Sequence, residues 1–289
     1  MKNEKDKILN AHRQHGRQFM GTQIVYPVLS RRSGGISIGV NLNIDKVCNF
    51  NCAYCQVDRS CQVKVDFSIE TLEKELTEMI QLVLDGGLFE YEPFDQAPEK
   101  LRRLNDIALS GDGEPTASPY FLEACQEIVK IKEQLKLNDI KIIVITNSTM
   151  FNKEKVQLGL ELLDKHNGEI WAKLDAGSEE YYKKVNQSKI SFERILDNLL
   201  LVSQKRPIVI QTLMSNIDNE APSESEIQNY IQRLEYIIAN GGKIKHIQLH
   251  TIVRKTRQSN LTKLSDEQLD NIARMISNKI DVPLSKHYG

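Results

Sequence analysis

Residues 36–55 read Ile36-Ser37-Ile38-Gly39-Val40-Asn41-Leu42-Asn43-Ile44-Asp45-Lys46-Val47-Cys48-Asn49-Phe50-Asn51-Cys52-Ala53-Tyr54-Cys55. The first nine residues are rich in Ile, Val and Leu and stop at a turn former, which is the pattern of a short strand. Three thiols follow on the loop that leaves this strand, spaced C-x3-C-x2-C, so they can converge on one inorganic centre. Soft sulfur ligands favour zinc or an iron–sulfur cluster over hard cations. Structural zinc takes four ligands, and Cys61 is the one further thiol close by in sequence. A cubane cluster held by three cysteines leaves one iron with an open coordination position.

Working outward, strand-like and helix-like segments alternate to the end of the chain. Further strands are expected at 106–109, 140–146, 169–175, 207–214 and 244–252, each short, aliphatic and bounded by turn formers. Helices are expected at 69–84, 119–135, 153–165, 192–203, 224–239 and 266–278. Ser68 is placed to cap the first, Ser118 the second with Pro119 at its first position, and Ser265 the last with Gln268 three residues on. Gly241-Gly242 closes the fifth. Six strand–helix units in a row call for parallel strands joined by right-handed crossovers. The expected fold class is therefore α/β, a partial (β/α)6 barrel, with one core domain over 36–289, a basic extension over 1–35 and an insertion over 85–105.

The strands carry an anomaly. Parallel strands covered on both faces should be almost continuously apolar. Here Asn41 with Asn43, Lys173 with Asp175, Gln211, and His246, Gln248 and His250 make one face repeatedly polar. Two explanations stand: an open sheet with a solvated face, or a curved sheet around a polar cavity whose ligand supplies hydrogen-bond partners.

Composition limits the classes of function. The 289 residues are 40% hydrophobic and 27% charged, a globular balance, and long enough for one large core. Lys plus Arg number 38 against 39 Asp plus Glu, so the surface as a whole is not built for nucleic acid or anionic lipid. Local basic stretches remain, at residues 1–35, at Arg31-Arg32 and at Arg254-Lys255 with Arg257. They read either as a solvated face or as an RNA contact. No apolar run reaches the roughly 20 residues of a membrane span. The opening residues lack the apolar stretch of a signal peptide, so a cytoplasmic protein is expected.

The run C-x3-C-x-aromatic-C after the first strand of a six-fold β/α array resembles the signature of the radical S-adenosylmethionine (SAM) superfamily. That resemblance implies a 4Fe-4S cluster bound by Cys48, Cys52 and Cys55, whose fourth iron takes the amino and carboxylate groups of S-adenosyl-L-methionine. Tyr54 stands at the aromatic position. Cys61 is then a bystander, and Cys125 a core thiol. Asp112-Gly113-Glu114, at the end of the second strand, is similar to the family's Gly-Gly-Glu motif, which receives the methionine amino group, with Asp112 in place of the first glycine. Asn147, in Thr146-Asn147-Ser148, would suit ribose hydroxyls, although this triplet can also cap the next helix. Lys173 would balance the carboxylate. Lys173 and Asp175 can equally be a structural ion pair. Asp175, Gln211 and His250 are candidates for the substrate pocket, and His250 can equally be a hydrogen-bonded core histidine.

The resemblance narrows further. The stretches 26–35, 39–41 and 48–56, with Gly113-Glu114-Pro115-Thr116 and Lys173-Leu174-Asp175-Ala176-Gly177, are similar to the branch related to wyosine-base synthases, which modify a guanosine in transfer RNA. Those enzymes carry a second cluster bound by cysteines ahead of the core motif. No cysteine precedes Cys48 here, so that cluster is not expected. The activity implied is reductive cleavage of SAM to a 5′-deoxyadenosyl radical that abstracts hydrogen from a small molecule or peptide, fed by an electron donor such as a flavodoxin or ferredoxin. A transfer RNA base is the alternative substrate, and a non-catalytic zinc-binding module is the alternative of another class.

Overall fold

A computed structural model describes residues 17–60 and 67–289. Cys61 and residues 1–16 of the basic amino-terminal stretch lie outside the described residues. The chain divides into two compact units, one of Met1–Val47, Gln62–Val144 and Glu154–Glu169, the other of Cys48–Cys61, Ile145–Lys153 and Ile170–Gly289.

The first unit carries β1 (Val25–Ser30), β2 (Gly35–Val40), β3 (Leu104–Leu109) and most of β4 (Lys141–Thr146), with α1 (Ile69–Leu84), α2 (Phe121–Gln134) and α3 (Glu154–Asp164). β2, β3 and β4 are parallel neighbours, with Val40 opposite Leu109 and Leu109 opposite Val144. All six residues of β2 are buried, as a doubly covered parallel strand requires. Helix α1 begins where Ser68 accepts the Thr71 N–H and buries Leu72, Leu76, Met79, Ile80 and Val83.

Two features of this unit depart from the sequence reading. β1, within residues taken as an extension without period, pairs antiparallel with β2, Val25 opposite Val40. Pro27 breaks the strand signal, and it is tolerated because β1 is an edge strand. The start of β1 is fixed by Glu75 of α1, a buried carboxylate accepting N–H bonds from Gln23 (2.8 Å), Ile24 (2.8 Å) and Val25 (3.0 Å). Helix α2 begins at Phe121, not Pro119, and its cap residue Tyr120 makes no side-chain cap bond. The start signals are spent earlier: Glu114 caps a 3-10 turn, Pro115–Ala117, with Pro115 leading it. The insertion folds as three 3-10 turns, Gly87–Glu90, Phe94–Gln96 and Glu99–Leu101. Arg102 ties them, donating to the carbonyls of Ala97 and Asp95.

The second unit carries most of β5 (Gly168–Lys173), then β6 (Ile208–Leu213), β7 (Asn216–Ile217), β8 (Ile244–His250), β9 (Leu261–Thr262) and β10 (Leu284–His287), with α4 (Glu179–Val185), α5 (Phe192–Lys205), α6 (Glu224–Ala239) and α7 (Asp266–Ser277). β5, β6, β8 and β10 are parallel neighbours in that order, and β7 and β9 form a separate antiparallel ribbon. Ser265 and Gln268 close the expected capping box on α7, and Gly241, at φ +83°, ends α6. The sequence reading missed α4 and β10. At seven and four residues they are too short to display a period.

Register puts Lys173, Gln211, Gln248 and Ser285 side by side across the four parallel strands. Gln211 and Gln248 are 1% and 6% exposed, so this face is not solvated. The chain supplies partners of its own: the Gln211 amide donates to Gln248 Oε1 at 3.2 Å. Ile210, Ile247 and Leu249 bury the opposite side completely.

Because one carboxylate satisfies three otherwise orphaned N–H groups, Glu75→Ala should cost on the order of 3 kcal/mol. Urea unfolding followed by circular dichroism should report it as a lowered midpoint at unchanged m-value.

Candidate active site

In the second unit the cysteine loop is held by main-chain bonds to the end of α4. The Asn51 N–H donates to the Asn186 carbonyl (3.2 Å) and the Ala53 N–H to the Val185 carbonyl (2.8 Å). A turn closed by the Cys55 N–H on the Cys52 carbonyl (2.9 Å) brings those two thiols round, and the Arg257 N–H takes the Cys55 carbonyl at 3.1 Å. Apolar packing completes the seat. Ala53 and Tyr54 cluster with Val185 and Leu261, and Phe50 meets Tyr182 edge-on at 5.8 Å.

Each of the three half-buried thiols receives an N–H donor. The Phe50 N–H points to Cys48 Sγ (3.5 Å), the Asn186 amide to Cys52 Sγ (3.8 Å), and the Arg59 guanidinium to Cys55 Sγ (3.2 Å). The Arg59 charge interacts with all three thiols. Burial pushes the Cys52 thiol up to about 11, helped by Asp175 and opposed by Lys173. Burial pushes Cys55 up as well, yet the hydrogen bonds from Arg59 and the Val57 backbone, with the charges of Arg59 and Lys173, outweigh it and leave that thiol below its usual value. Among the described residues no three His, Cys, Asp or Glu side chains are close enough to share one metal ion.

Lys173 and Asp175 do not make a bare ion pair; Tyr54 stands between them. The Lys173 ammonium donates to the Tyr54 hydroxyl at 2.9 Å and lies 4.7 Å from its ring centre. The Tyr54 hydroxyl donates to Asp175 Oδ2. Burial, then the Asp175 charge, holds this phenol protonated. Asp175 also accepts from the Asn186 amide (3.0 Å) and from the Leu213 N–H (2.9 Å). Three donors on one carboxylate mark Asp175 as an organiser of the unit. Ahead of α4, Glu226 of α6 accepts from the Gly177 N–H and the Ser178 hydroxyl (2.6 Å), which fixes the start of that helix.

Asn147 follows β4 in a strained loop. Ser148 has φ +69°, a left-handed conformation unfavourable for a residue with a side chain, and Asn198 clamps the loop by donating to the Ser148 and Thr149 carbonyls. Asn147 accepts from Thr149 and donates to Asn49 Oδ1 of the cysteine loop at 2.7 Å. It does not cap α3, which starts at Glu154. His250 is 8% exposed and belongs to the buried polar row of β8.

In the first unit, Asp112, Gly113 and Glu114 follow β3. Asp112 pairs with Arg17 at 2.9 Å and accepts from the Asn41 amide at 2.8 Å. Glu114, 2% exposed, holds the Thr116 N–H and hydroxyl on Oε1. Gly113 is needed for a close approach: a Cβ there would lie 2.1 Å from the Val47 carbonyl oxygen and 2.7 Å from Asn43. The chain's own backbone lies against this glycine.

Two functional candidates escaped the sequence reading. Arg59 has a local signal, a cation four residues after Cys55. Asn186, 134 positions from Cys52, has none. Asp175→Ala should cost on the order of 3 kcal/mol, because it orphans the Leu213 N–H and two buried side-chain donors. Chemical denaturation should report the loss, and Asp175→Asn should restore part of it.

The family model described as Radical SAM superfamily matches residues 42–231, about two thirds of the chain. A protein of Brachyspira hyodysenteriae named GTPase Obg is 24% identical over 266 residues, covering 89% of this chain. The chain spans only 34% of that relative's length. Among solved structures, a radical SAM methyltransferase from Sphaerobacter thermophilus superposes with TM-score 0.64 at 12% identity, over 94% of this chain and 71% of the other. TYW1 with a lysine-pyruvate adduct bound gives TM-score 0.57 at 17% identity, over 96% and 90%. At such identities the likeness speaks for the fold alone, and it is the expected class, a partial (β/α)6 barrel of radical SAM type. With two thirds of its length matched by the model, the chain belongs to the Radical SAM superfamily.

Proposed function

We propose that this chain is a radical SAM enzyme that binds a 4Fe-4S cluster through Cys48, Cys52 and Cys55 and acts on a small-molecule or peptide substrate by hydrogen abstraction. One observation carries the reading: three soft thiols, each with its own N–H donor and all sensing one guanidinium, sit on a loop fixed by backbone bonds. When bound, the cluster supplies one electron and S-adenosyl-L-methionine the 5′-deoxyadenosyl group whose radical takes the hydrogen atom.

The remaining work belongs to the protein. Arg59 favours the thiolate form that iron requires. Lys173, steadied by the Tyr54 hydroxyl, offers an ammonium to the methionine carboxylate. Glu114, oriented by Thr116, offers a carboxylate to the methionine amino group, with Gly113 as its backbone neighbour and Asp112 adding negative charge to the same loop. Asn147 serves the ribose. Asp175 anchors the network, while Gln211 and His250 belong to the polar face offered to substrate. A flavodoxin- or ferredoxin-type carrier would deliver the electron, and the reducing cytoplasm suits such a cluster. No helix among the described residues is long and apolar enough to cross a membrane.

The test is anaerobic reconstitution with iron and sulfide, then dithionite and S-adenosyl-L-methionine, with chromatography for 5′-deoxyadenosine. The wild type should turn brown and form the product, and Cys52→Ala should do neither. A colourless wild-type protein carrying one zinc per chain would overturn the reading.

A further inference from the structure

Cys52 and Asp175 are two potential anions that meet one neutral group. The side-chain amide nitrogen of Asn186 donates to both, to Cys52 Sγ at 3.8 Å and to Asp175 Oδ2 at 3.0 Å. An amide carries two N–H bonds, enough to serve both acceptors. Asn186 is 2% exposed and ends α4, whose last carbonyls also hold the cysteine loop. Its position is therefore set by backbone, and its dipole lies between a carboxylate and a sulfur.

The chemistry of such a bridge is specific. An N–H donor at a ligating sulfur withdraws charge from it, and hydrogen bonds to sulfur are among the levers that set the potential of an iron–sulfur centre. Adding an electron raises the negative charge at the cluster, so a donor that stabilises this charge makes reduction easier. The same amide also bonds the Asp175 carboxylate, whose charge acts on the Cys52 sulfur and opposes reduction there. Through Asp175, Asn186 reaches Tyr54 and hence Lys173, so one residue joins the thiol to the group assigned to the methionine carboxylate.

We propose that Asn186 is a positioning residue that raises the reduction potential of the cluster through Cys52. This deepens the function proposed above and rests on it. The two are separable by experiment: a wild type that binds no iron ends both, whereas an unmoved potential ends only the role of Asn186.

The test compares reconstituted wild type with Asn186→Leu, a substitution of similar volume without donors, and with Asn186→Gln, which keeps the amide. Iron and sulfide are counted, and the midpoint potential is measured by redox titration followed by electron paramagnetic resonance. At the wild-type midpoint, the reduced-to-oxidised ratio should fall roughly tenfold in Asn186→Leu, the size of one charge-assisted hydrogen bond. That is about 59 mV for one electron. Asn186→Gln should lie nearer the wild type. An unchanged midpoint in Asn186→Leu with a full cluster overturns the proposal. Should that variant fail to assemble, the wild type decides, labelled with 15N in its asparagine side-chain amides. Its reduced cluster should show a weak nitrogen coupling that Asn186→Ser lacks, and absence of the coupling in the wild type overturns the proposal equally.

Discussion

The carboxylate of Asp175 sits just past the end of β5 and takes three donors from three separate stretches of chain: the Tyr54 hydroxyl, the Asn186 amide and the Leu213 N–H. A buried carboxylate tolerates its environment only when donors satisfy it. Meeting that demand draws the cysteine loop, the end of α4 and the end of β6 to one point. Much of the rest of the second unit follows from this convergence. Tyr54 is oriented so that Lys173 can lie against it, and Asn186 is turned so that its amide nitrogen also meets Cys52. Two of the thiols adjoin this network: Tyr54 precedes Cys55 in the chain, and Asn186 donates to Cys52.

The first unit solves a comparable problem by steric means. Asn41 and Asn43 follow β2, and the glycines after β3 leave room for them and for the Val47 carbonyl. Asn41 both accepts the Asp112 N–H and donates to its carboxylate, so the loop bearing Glu114 is latched to the strand that leads to the cysteines. Arg17 closes the latch from outside. Polar residues on these strand ends are thus structural partners of one another before they are partners of any ligand.

What could be read from the sequence was the local part. Thiol spacing, turn glycines, caps and aliphatic runs each lie within a few residues, and they led to the parallel strands, most of the helices and the cysteine loop. The strand-end contacts lay beyond reach because they join residues far apart in the chain; Tyr54 and Asp175 are 121 positions apart. Pro27 concealed β1, and α4 was too brief to show a period, although its last residues carry the carbonyls that hold the loop. The polar face was visible as an anomaly. Its burial, and the bond between Gln211 and Gln248, required the register of the strands.

The main-chain bonds that seat Asn51, Ala53 and Cys55 run through amides and carbonyls alone, with no sulfur among them. Small zinc domains, by contrast, fold only as their metal arrives. In this chain the shape of the loop rests on bonds that make no demand on the sulfurs.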